Sequence, residues 1–458
     1  MTTLHTSPEL TPEQTLEILR SRILVDGFHI VLDPQASHGA YLFDELTGQE
    51  YIDFYAFFAS QPIRYNHPRM RDPEFQARLL TAATTKVANS DVYTRYFAEF
   101  VQTLDDVAGL PGLKHFFFIE GGALAVENAL KAAFDWKVRK NLAAGRGEIG
   151  HRVIHFRHAF HGRSGYTMSL TNTDPAKTLY FPKFDWPRID HPSINFDLPE
   201  PRRTEDVAAR EQQSLRQIQE TIERYGPDIA CIIIEPIQGE GGDNHVRGEF
   251  LRALRRIADE NELILIFDEI QCGVGVSGRM WACEHFQVLP DILCFGKKLQ
   301  TCGIMASERL DEVDGVFKVP SRINSTWGGN LVDMVRGTQY LRIIRDENLV
   351  DNAAEMGAYL LDRLHELAAR HSIISNVRGR GLMCAFDLPD AGVRNALRAE
   401  CWRSQMVILA CGERSIRFRP VLDITAEDID RGIEVMNEAL SRVAAAAAAS
   451  VPDTGASQ

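Results

Sequence analysis

The chain is 458 residues long, which is enough for two or three domains around a large buried core. Its composition, with 45% hydrophobic and 25% charged residues, is ordinary for a globular protein in water. The formal net charge of −13 argues against a surface that binds nucleic acid or anionic lipid. No apolar run approaches the roughly 20 residues that a membrane helix needs. We therefore expect neither a nucleic-acid partner nor a membrane.

The N-terminal residues and the cysteines indicate where in the cell the protein is expected. Residues 1–8 lack a basic segment followed by an apolar one, so no secretory signal is expected. The eight cysteines are scattered and form neither a CxxC pair nor a metal-finger spacing. We expect free thiols in a reducing cytoplasm and no bound metal.

The first predicted element is a helix that begins near Thr11. Thr11-Pro12-Glu13-Gln14 reads as a capping box with proline at the first helical position. The residues expected on the apolar side of this helix are Leu16, Ile18, Leu19 and Ile23. Strands are expected near residues 40–44 and 50–55.

From about residue 80 the pattern becomes strand, loop and helix, repeated. Continuous apolar runs such as residues 229–234 are typical of strands buried on both faces of a parallel sheet. This alternation predicts an α/β domain with a mostly parallel sheet. The predicted strands are 116–119, 153–156, 229–234, 263–267 and 292–295, and the predicted helices are 124–140 and 250–257.

Two other parts of the chain do not follow the repeated strand, loop and helix pattern. Residues 185–205 hold four prolines and are expected to be a long irregular loop. After about residue 340 the pattern predicts an α+β unit with helices at 351–370 and after Thr425 and strands at 373–377, 382–388 and 406–410. The predicted domains are 1–80 (first segment of a small domain), 81–340 (large cofactor-binding domain) and 341–445 (rest of the small domain). Residues 444–449 are expected to fray, and 446–458 are expected to be a disordered tail.

Polar residues follow most of the predicted strands of the large domain. In open parallel sheets, ligands bind beyond the carboxyl ends of the strands. The segments that follow the strands are Gly121-Gly122, 158–163, 235–242, 268–271 and Gly296-Lys297-Lys298.

Each of these features alone is common and has a simple structural explanation. An aspartate after a strand most often caps a helix, a glycine pair makes a turn, a lone arginine forms a salt bridge, and a lysine pair faces solvent. Together at one sheet edge they match pyridoxal phosphate. Its aldehyde needs a lysine amine, its pyridine nitrogen needs a carboxylate, and its phosphate needs backbone N–H groups.

One long segment carries a family resemblance. Residues 268–285, followed by Pro290-Asp291-Ile292 and Gly296-Lys297, resemble the class III pyridoxal-phosphate aminotransferases. The resemblance extends from about Tyr41 to Pro420. It implies the type I aminotransferase fold, an α/β architecture with a large domain around a mostly parallel seven-stranded sheet and a smaller α+β domain built from both termini. It also implies a homodimer with active sites at the subunit interface.

Other segments point to a subgroup of that family. The segments similar to L-lysine 6-aminotransferases are 120–129, 160–173, 181–188, 321–330 and 380–386. The resemblance implies ping-pong transfer of the 6-amino group of L-lysine to 2-oxoglutarate. The products would be glutamate and 2-aminoadipate 6-semialdehyde, which cyclises to piperideine-6-carboxylate. The 4-aminobutyrate and ornithine ω-aminotransferases stay open as alternatives, as do, more distantly, a pyridoxal-phosphate mutase or racemase and a non-catalytic regulator that binds the cofactor.

The resemblance also assigns cofactor contacts. Lys297 matches the lysine that holds the cofactor and serves as base, and Asp268 matches the partner of the pyridine nitrogen. Gln271 would lie near the ring hydroxyl, and Phe160 would stack on the ring. The phosphate would contact Gly122, Ala123 and, from the neighbouring subunit, Thr326.

Two positions depart from the family pattern. Residues 121–124 replace the usual Ser-Gly-Thr-Glu turn, which removes a hydroxyl donor to the phosphate. Lys298 replaces the glycine that usually follows the cofactor lysine.

Three further residues, together with Gln271, are implied to bind substrate. Arg163 would take the α-carboxylate of lysine and the distal carboxylate of 2-oxoglutarate, and Arg417 the α-carboxylate of 2-oxoglutarate. Glu240 matches a gate residue that would pair with Arg417 while lysine is bound, and Gln271 is also expected to contact the substrate. Glycines around Glu240 suggest a mobile loop at 239–242.

Overall fold

The computed structural model describes residues 10–449 of the chain. Its strands, in chain order, are β1 (Leu32–His38), β2 (Tyr41–Asp44), β3 (Gln49–Asp53), β4 (Leu113–Ile119), β5 (Arg152–Phe156), β6 (Arg188–Ile189), β7 (Ile229–Ile234), β8 (Ile264–Asp268), β9 (Ile292–Phe295), β10 (Cys302–Ser307), β11 (Ser375–Arg380), β12 (Met383–Asp387), β13 (Met406–Val407), β14 (Leu409–Cys411) and β15 (Ser415–Phe418).

The helices alternate with these strands in the middle of the chain and cluster at its two ends. They are α1 (Pro12–Arg20), α2 (Ala56–Ala59), α3 (Pro73–Ala83), α4 (Arg95–Ala108), α5 (Gly122–Ala143), α6 (Gly165–Leu170), α7 (Arg202–Tyr225), α8 (Gly248–Glu260), α9 (Cys283–Phe286), α10 (Leu331–Asp346), α11 (Leu349–Arg370), α12 (Ala391–Arg403) and α13 (Ala426–Ala449).

The central sheet has seven strands in the order β4-β10-β9-β8-β7-β5-β6. Strand β10 runs antiparallel to both β4 and β9, and the pairs from β9 to β6 are parallel. Strands β7, β8 and β9 are buried along their whole length, as their continuous apolar sequences predict. The predicted α/β class with a mostly parallel seven-stranded sheet is confirmed.

Two four-stranded sheets lie outside the central sheet, with orders β1-β2-β3-β13 and β11-β12-β15-β14. The sequence predicted a single strand at residues 406–410. The structure divides it into β13, which pairs with β3, and β14, which pairs with β15. The first sheet therefore joins N-terminal strands to a C-terminal strand.

Several predictions about local structure were wrong or only partly right. The stretch 185–205 is irregular for the most part, as expected, but it also contains the two-residue strand β6 and the start of α7. In α1 the capping box at Thr11 is present, but only Leu16 of the expected apolar side is buried. Residues 444–449, expected to fray, belong to α13, whereas 450–458 and the N-terminal segment 1–9 lie outside the described residues.

The division into domains stays a prediction. Its three proposed boundaries, after residues 80, 340 and 445, fall inside α3, α10 and α13. Within residues 10–449, no helix is long and apolar enough to cross a membrane. The same residues contain no group of three or more His, Cys, Asp or Glu side chains arranged to hold a metal ion. All eight cysteines are buried free thiols.

Candidate active site

A cavity of about 1280 Å³ lies at the carboxyl ends of the central strands. It is large enough for a cofactor and a small substrate together. Its lining includes Gly122, Ala123, Phe160, Arg163, Glu240, Asp268, Gln271, Lys297 and Arg417. Nine of the ten predicted site residues therefore meet in one cavity. Eight of them lie at or after the ends of central strands, at one edge of that sheet, whereas Arg417 comes from β15 of another sheet.

The N-terminus of α5 faces this cavity. Gly121, just before the helix, has a φ of 96°, which suits glycine. No side chain caps the helix, so its first backbone N–H groups stay open to the cavity that Gly122 and Ala123 line. Gly162 packs against this turn, and a Cβ there would lie 2.5 Å from that of Ala123. Uncapped N–H groups and the positive end of a helix dipole form a natural phosphate site.

Asp268 ends β8 and is held in place by His161. The Nδ1 atom of His161 lies 2.8 Å from Oδ2 of Asp268, and the backbone N–H of Ile270 donates to Oδ1 at 3.2 Å. Asp268 and His161 are both buried, and Nε2 of His161 has no hydrogen-bond partner among residues 10–449. The carboxylate is thus fixed at the base of the cavity, where a cationic ring nitrogen would satisfy it.

Lys297 and Lys298 follow β9 and have different environments. Lys297 lines the cavity with a φ of 47°, and burial, reinforced by the charge of Arg417, lowers its pKa to about 8. Lys298 points away and donates to the backbone oxygens of Gln271 at 3.0 Å and Ala59 at 3.3 Å. Of these two lysines, therefore, only Lys297 presents its amine to a ligand in the cavity.

Phe160 is positioned by a buried carboxyl group that the sequence reasoning did not single out. Glu235, just after β7, accepts hydrogen bonds from the backbone N–H groups of Phe160 at 2.9 Å and Gly239 at 3.1 Å. Burial raises the pKa of Glu235 to about 7. This contact ties the loop after β5 to the loop after β7 and sets the position of the Phe160 ring at the cavity wall.

The side-chain oxygen of Gln271 accepts from two guanidinium groups. Arg417 Nη1 lies 3.1 Å from Gln271 Oε1, and Arg419 Nε and Nη2 lie 3.3 and 3.2 Å from it. Because the amide oxygen faces these cations, the amide NH₂ group is left to donate elsewhere. Arg417 is buried, and its Nε has no hydrogen-bond partner within the described part of the chain.

The backbone around Glu240 is closely packed in this structure, and the mobility expected for residues 239–242 stays a prediction. Arg419 forms a buried ion pair with Asp243, with Nη1 2.9 Å from Oδ2. Arg378 donates to the backbone oxygen of Asp243 at 3.0 Å. A Cβ on Gly241 would lie 1.9 Å from the backbone oxygen of His158. These contacts favour movement of the Glu240 side chain over movement of its backbone.

The carboxylate of Glu240 contacts a residue that the sequence reasoning missed. Lys177 Nζ pairs with Glu240 Oε1, and Thr173 Oγ1 lies 3.5 Å from the same oxygen. Arg417 is not among the hydrogen-bond partners of Glu240 in this structure. Arg163 is exposed at the edge of the cavity, close enough for its charge to lower the pKa of Lys177.

Thr326 is the predicted site residue that lies outside the cavity. It is exposed, and its backbone oxygen accepts from Ser90 Oγ at 3.2 Å. The resemblance assigned Thr326 to the site of a neighbouring subunit, so a place outside its own chain's cavity is compatible with that role.

The residues of the cavity fit pyridoxal phosphate. The uncapped start of α5 suits a phosphate, the fixed carboxylate of Asp268 suits a protonated pyridine nitrogen, and the amine of Lys297 suits an aldehyde.

Comparisons with known proteins agree with this geometry. The family model described as "Aminotransferase class-III" matches residues 25–440. L-lysine-epsilon aminotransferase of Mycobacterium tuberculosis is 51% identical over 434 residues, which cover 94% of this chain and 96% of the relative. The enzyme of the same description from Streptomyces clavuligerus is 47% identical over 432 residues, 93% of this chain and 94% of the relative.

A solved structure is equally similar. The lysine aminotransferase from Mycobacterium tuberculosis in its internal aldimine form superimposes with a TM-score of 0.92 at 51% identity, over 95% of this chain and all of that one. The chain belongs to the class III aminotransferases. It is accordingly a pyridoxal-phosphate-dependent transaminase.

Proposed function

We propose that this transaminase transfers the 6-amino group of L-lysine to 2-oxoglutarate. The products are glutamate and 2-aminoadipate 6-semialdehyde, which cyclises to piperideine-6-carboxylate. The observation that carries the proposal is that two guanidinium groups, those of Arg163 and Arg417, line the same cavity as the amine of Lys297. The names of the relatives at 47–51% identity support lysine as the donor.

The two arginines match the carboxylates of the two substrates. 2-Oxoglutarate carries a carboxylate at each end, whereas lysine carries none on the carbon that bears its 6-amino group. In our proposal Arg163 binds the carboxylate far from the reacting carbon in both substrates. Arg417 binds the carboxylate next to the reacting carbon of 2-oxoglutarate. A guanidinium can hold a carboxylate with two parallel hydrogen bonds, which fixes the substrate in one orientation.

Pyridoxal phosphate, when bound, supplies an aldehyde that condenses with amines and a protonated ring that accepts electrons. Lys297 would hold the cofactor through its amine, and once the donor amine has displaced it, its free Nζ could accept the proton that leaves the substrate carbon. A pKa of about 8 leaves part of this amine neutral near neutral pH, as a general base requires. Asp268 retains the proton on the ring nitrogen, and the free NH₂ group of Gln271 donates to the ring oxygen. The ring of Phe160 stacks against the cofactor.

The phosphate contacts and the assembly belong to the same proposal. Backbone N–H groups of Gly122 and Ala123 bind the phosphate from within the chain, and Thr326 does so from the neighbouring subunit of a homodimer. The eight buried free thiols support a reducing cytoplasm as its location.

Glu240 retains its proposed role as a gate. We infer that its carboxylate neutralises Arg417 while lysine reacts and leaves Arg417 when 2-oxoglutarate arrives. The closely packed backbone around residue 240 favours movement of the side chain over movement of the backbone.

A donor panel tests the function. Purified enzyme is assayed with 2-oxoglutarate and, in turn, L-lysine, L-ornithine and 4-aminobutyrate, with the Lys297→Ala variant as the inactive control. We expect the highest kcat/KM with L-lysine and glutamate formation that depends on Lys297. A higher kcat/KM with ornithine or 4-aminobutyrate would assign the chain to another ω-aminotransferase. No turnover of any donor would favour a non-catalytic protein.

A further inference from the structure

Lys177 is a cavity residue without a role in the chemistry derived so far. It ends a short 3₁₀ turn, Pro175–Lys177, that follows α6 and is capped by Asp174. Its Nζ lies 5.6 Å from the centroid of the Phe160 ring, and its side chain lines the same cavity as Lys297. Lys177 is therefore placed to act on a bound substrate or on the residues that bind it.

The partner of Lys177 is the proposed gate. Its amine forms an ion pair with the carboxylate of Glu240, and the side chains are 24% and 22% exposed. An ion pair that is this far removed from water is worth more than one on the surface, and its geometry is better retained. The backbone of Glu240 is also held in place, since the N–H of Gly412 donates to the backbone carbonyl oxygen of Glu240 at 2.8 Å.

Arg417 is the other cation that can attract this carboxylate. It is only 3% exposed, its hydrogen bond in this structure goes to the neutral oxygen of Gln271, and its Nε is unsatisfied among residues 10–449. A buried guanidinium without a counter-ion is costly and favours any carboxylate that can reach it. Burial accordingly lowers the pKa of Arg417.

Lys177 and Arg417 act on the same part of the cavity. Burial lowers the pKa of Lys177, Asp174 opposes this, and the charges of Arg417 and Arg163 lower it further. Arg163, Lys177 and Arg417 thus line the same cavity as the Glu240 carboxylate. The carboxylate of Glu240 is held by one of them, and releasing it from Lys177 leaves Arg417 as an alternative buried partner.

We propose that Lys177 is a specificity-determining residue that holds the Glu240 carboxylate away from Arg417, so that Arg417 stays open to the α-carboxylate of glutamate or 2-oxoglutarate. The lysine half-reaction needs the opposite arrangement, with Glu240 on Arg417. The strength of the Lys177–Glu240 pair therefore sets the balance between α-amino and terminal amino donors. This inference rests on the proposed function in the choice of the two donors.

The test measures each donor half-reaction alone, without 2-oxoglutarate, by following the cofactor absorbance of the holoenzyme after rapid mixing. Replacing Lys177→Met removes the charge and retains the length of the side chain. Glu240 then moves to Arg417, and the second-order rate constant of the half-reaction (maximal rate constant divided by apparent Kd) for glutamate falls about tenfold or more relative to that for lysine, mainly through the apparent Kd for glutamate. Lys177→Arg retains the charge and restores the ratio of the two rate constants. Lys183→Met, in the same segment but outside the cavity lining, leaves the ratio unchanged.

A double variant separates this role from a structural one. In Lys177→Met/Glu240→Gln no carboxylate is left to cover Arg417, so the reaction with glutamate recovers relative to Lys177→Met alone. If the double variant reacts with glutamate no faster than Lys177→Met, or if Lys177→Met slows both donors equally, the proposal is overturned. The measurements with glutamate test the role of Lys177 even if lysine is not a donor. Wild-type enzyme that fails with lysine refutes the proposed donor, whereas recovery with glutamate still supports the role of Lys177.

Discussion

His161 Nδ1 lies 2.8 Å from Oδ2 of Asp268, and the two buried side chains form one unit at the base of the cavity. His161 follows β5 and Asp268 ends β8, so the contact joins the loop after β5 to the end of β8, 107 residues away in sequence. The carboxylate of Asp268 has only one other hydrogen-bond partner among the described residues, the N–H of Ile270. The orientation of the carboxylate that we assign to the pyridine nitrogen therefore depends on His161.

Loss of this contact is expected to weaken cofactor binding. His161→Leu removes the hydrogen bond and leaves Asp268 free to rotate, and we expect about a tenfold or greater increase in the Kd of pyridoxal phosphate. His161→Gln retains a hydrogen-bond donor, and its Kd for the cofactor is expected to lie between those of His161→Leu and wild type. The Kd is measured by titrating apoenzyme with the cofactor. Equal cofactor affinity in His161→Leu and wild type would show that His161 does not orient the carboxylate.

The lowered pKa of Lys297 predicts a pH dependence that can be measured on the apoenzyme. A lysine reacts with an acylating reagent only as the neutral amine, and with a pKa of about 8 roughly half of Lys297 is neutral at pH 8. Its labelling rate, followed by mass spectrometry, should rise up to about pH 8 and then level off.

Two other lysines serve as internal controls for that measurement. The ion pair with Glu308 raises the pKa of Lys114 above its usual value, so the labelling of Lys114 should still be increasing well above pH 10. Lys298 is buried against backbone oxygens and should label slowly at every pH. A labelling midpoint for Lys297 near that of an ordinary lysine would contradict the environment described for it.

The buried ion pair between Arg419 and Asp243 predicts a large effect on stability. Asp243→Ala leaves the guanidinium of Arg419 buried with the Gln271 oxygen as its remaining side-chain acceptor, which should cost about 3–5 kcal/mol in the free energy of unfolding. Breaking the exposed Arg431–Glu434 pair with Glu434→Ala should cost less than about 1 kcal/mol. Urea unfolding of the two variants compares them, and similar losses would argue against a structural role for the buried pair.

The sequence predicted the central strands well because their signal is local. Strands β7 and β9 coincide with the predicted runs 229–234 and 292–295, since strands buried on both faces are apolar throughout. Strand β10 was missed because Gly303 interrupts its short apolar run, directly after the lysine turn. Helix α7 was missed because its sequence is mostly polar. It also begins next to a proline-rich stretch, and these prolines indicated a loop.

The functional site likewise contains residues that the sequence identifies and residues that it does not. Lys297, Asp268 and Arg417 could be found because a motif or a strand end marks them. Lys177 could not, since its contact with Glu240 spans 63 residues and depends on how the turn after α6 packs over the cavity. His161 lies inside a recognised motif, but its partner is visible only once β5 and β8 are placed in the same sheet.

A site shared between two subunits predicts complementation. Thr326→Ala should increase the Kd for pyridoxal phosphate about tenfold, although Thr326 lies outside the cavity of its own chain. Mixed dimers of Thr326→Ala and Lys297→Ala should contain one intact site, formed by Lys297 of one subunit and Thr326 of the other. At limiting cofactor, activity above that of either parent after mixed refolding is the expected result. No recovery in verified mixed dimers would contradict a phosphate contact across the interface.

The transfer of the 6-amino group is tested most directly with isotopically labelled lysine. The enzyme is incubated with 2-oxoglutarate and with L-lysine that carries ¹⁵N at either the 6-amino or the 2-amino position, and the glutamate formed is examined by mass spectrometry. Our account predicts labelled glutamate from 6-¹⁵N-lysine and unlabelled glutamate from 2-¹⁵N-lysine. Labelled glutamate from 2-¹⁵N-lysine, or no glutamate from either, would contradict it.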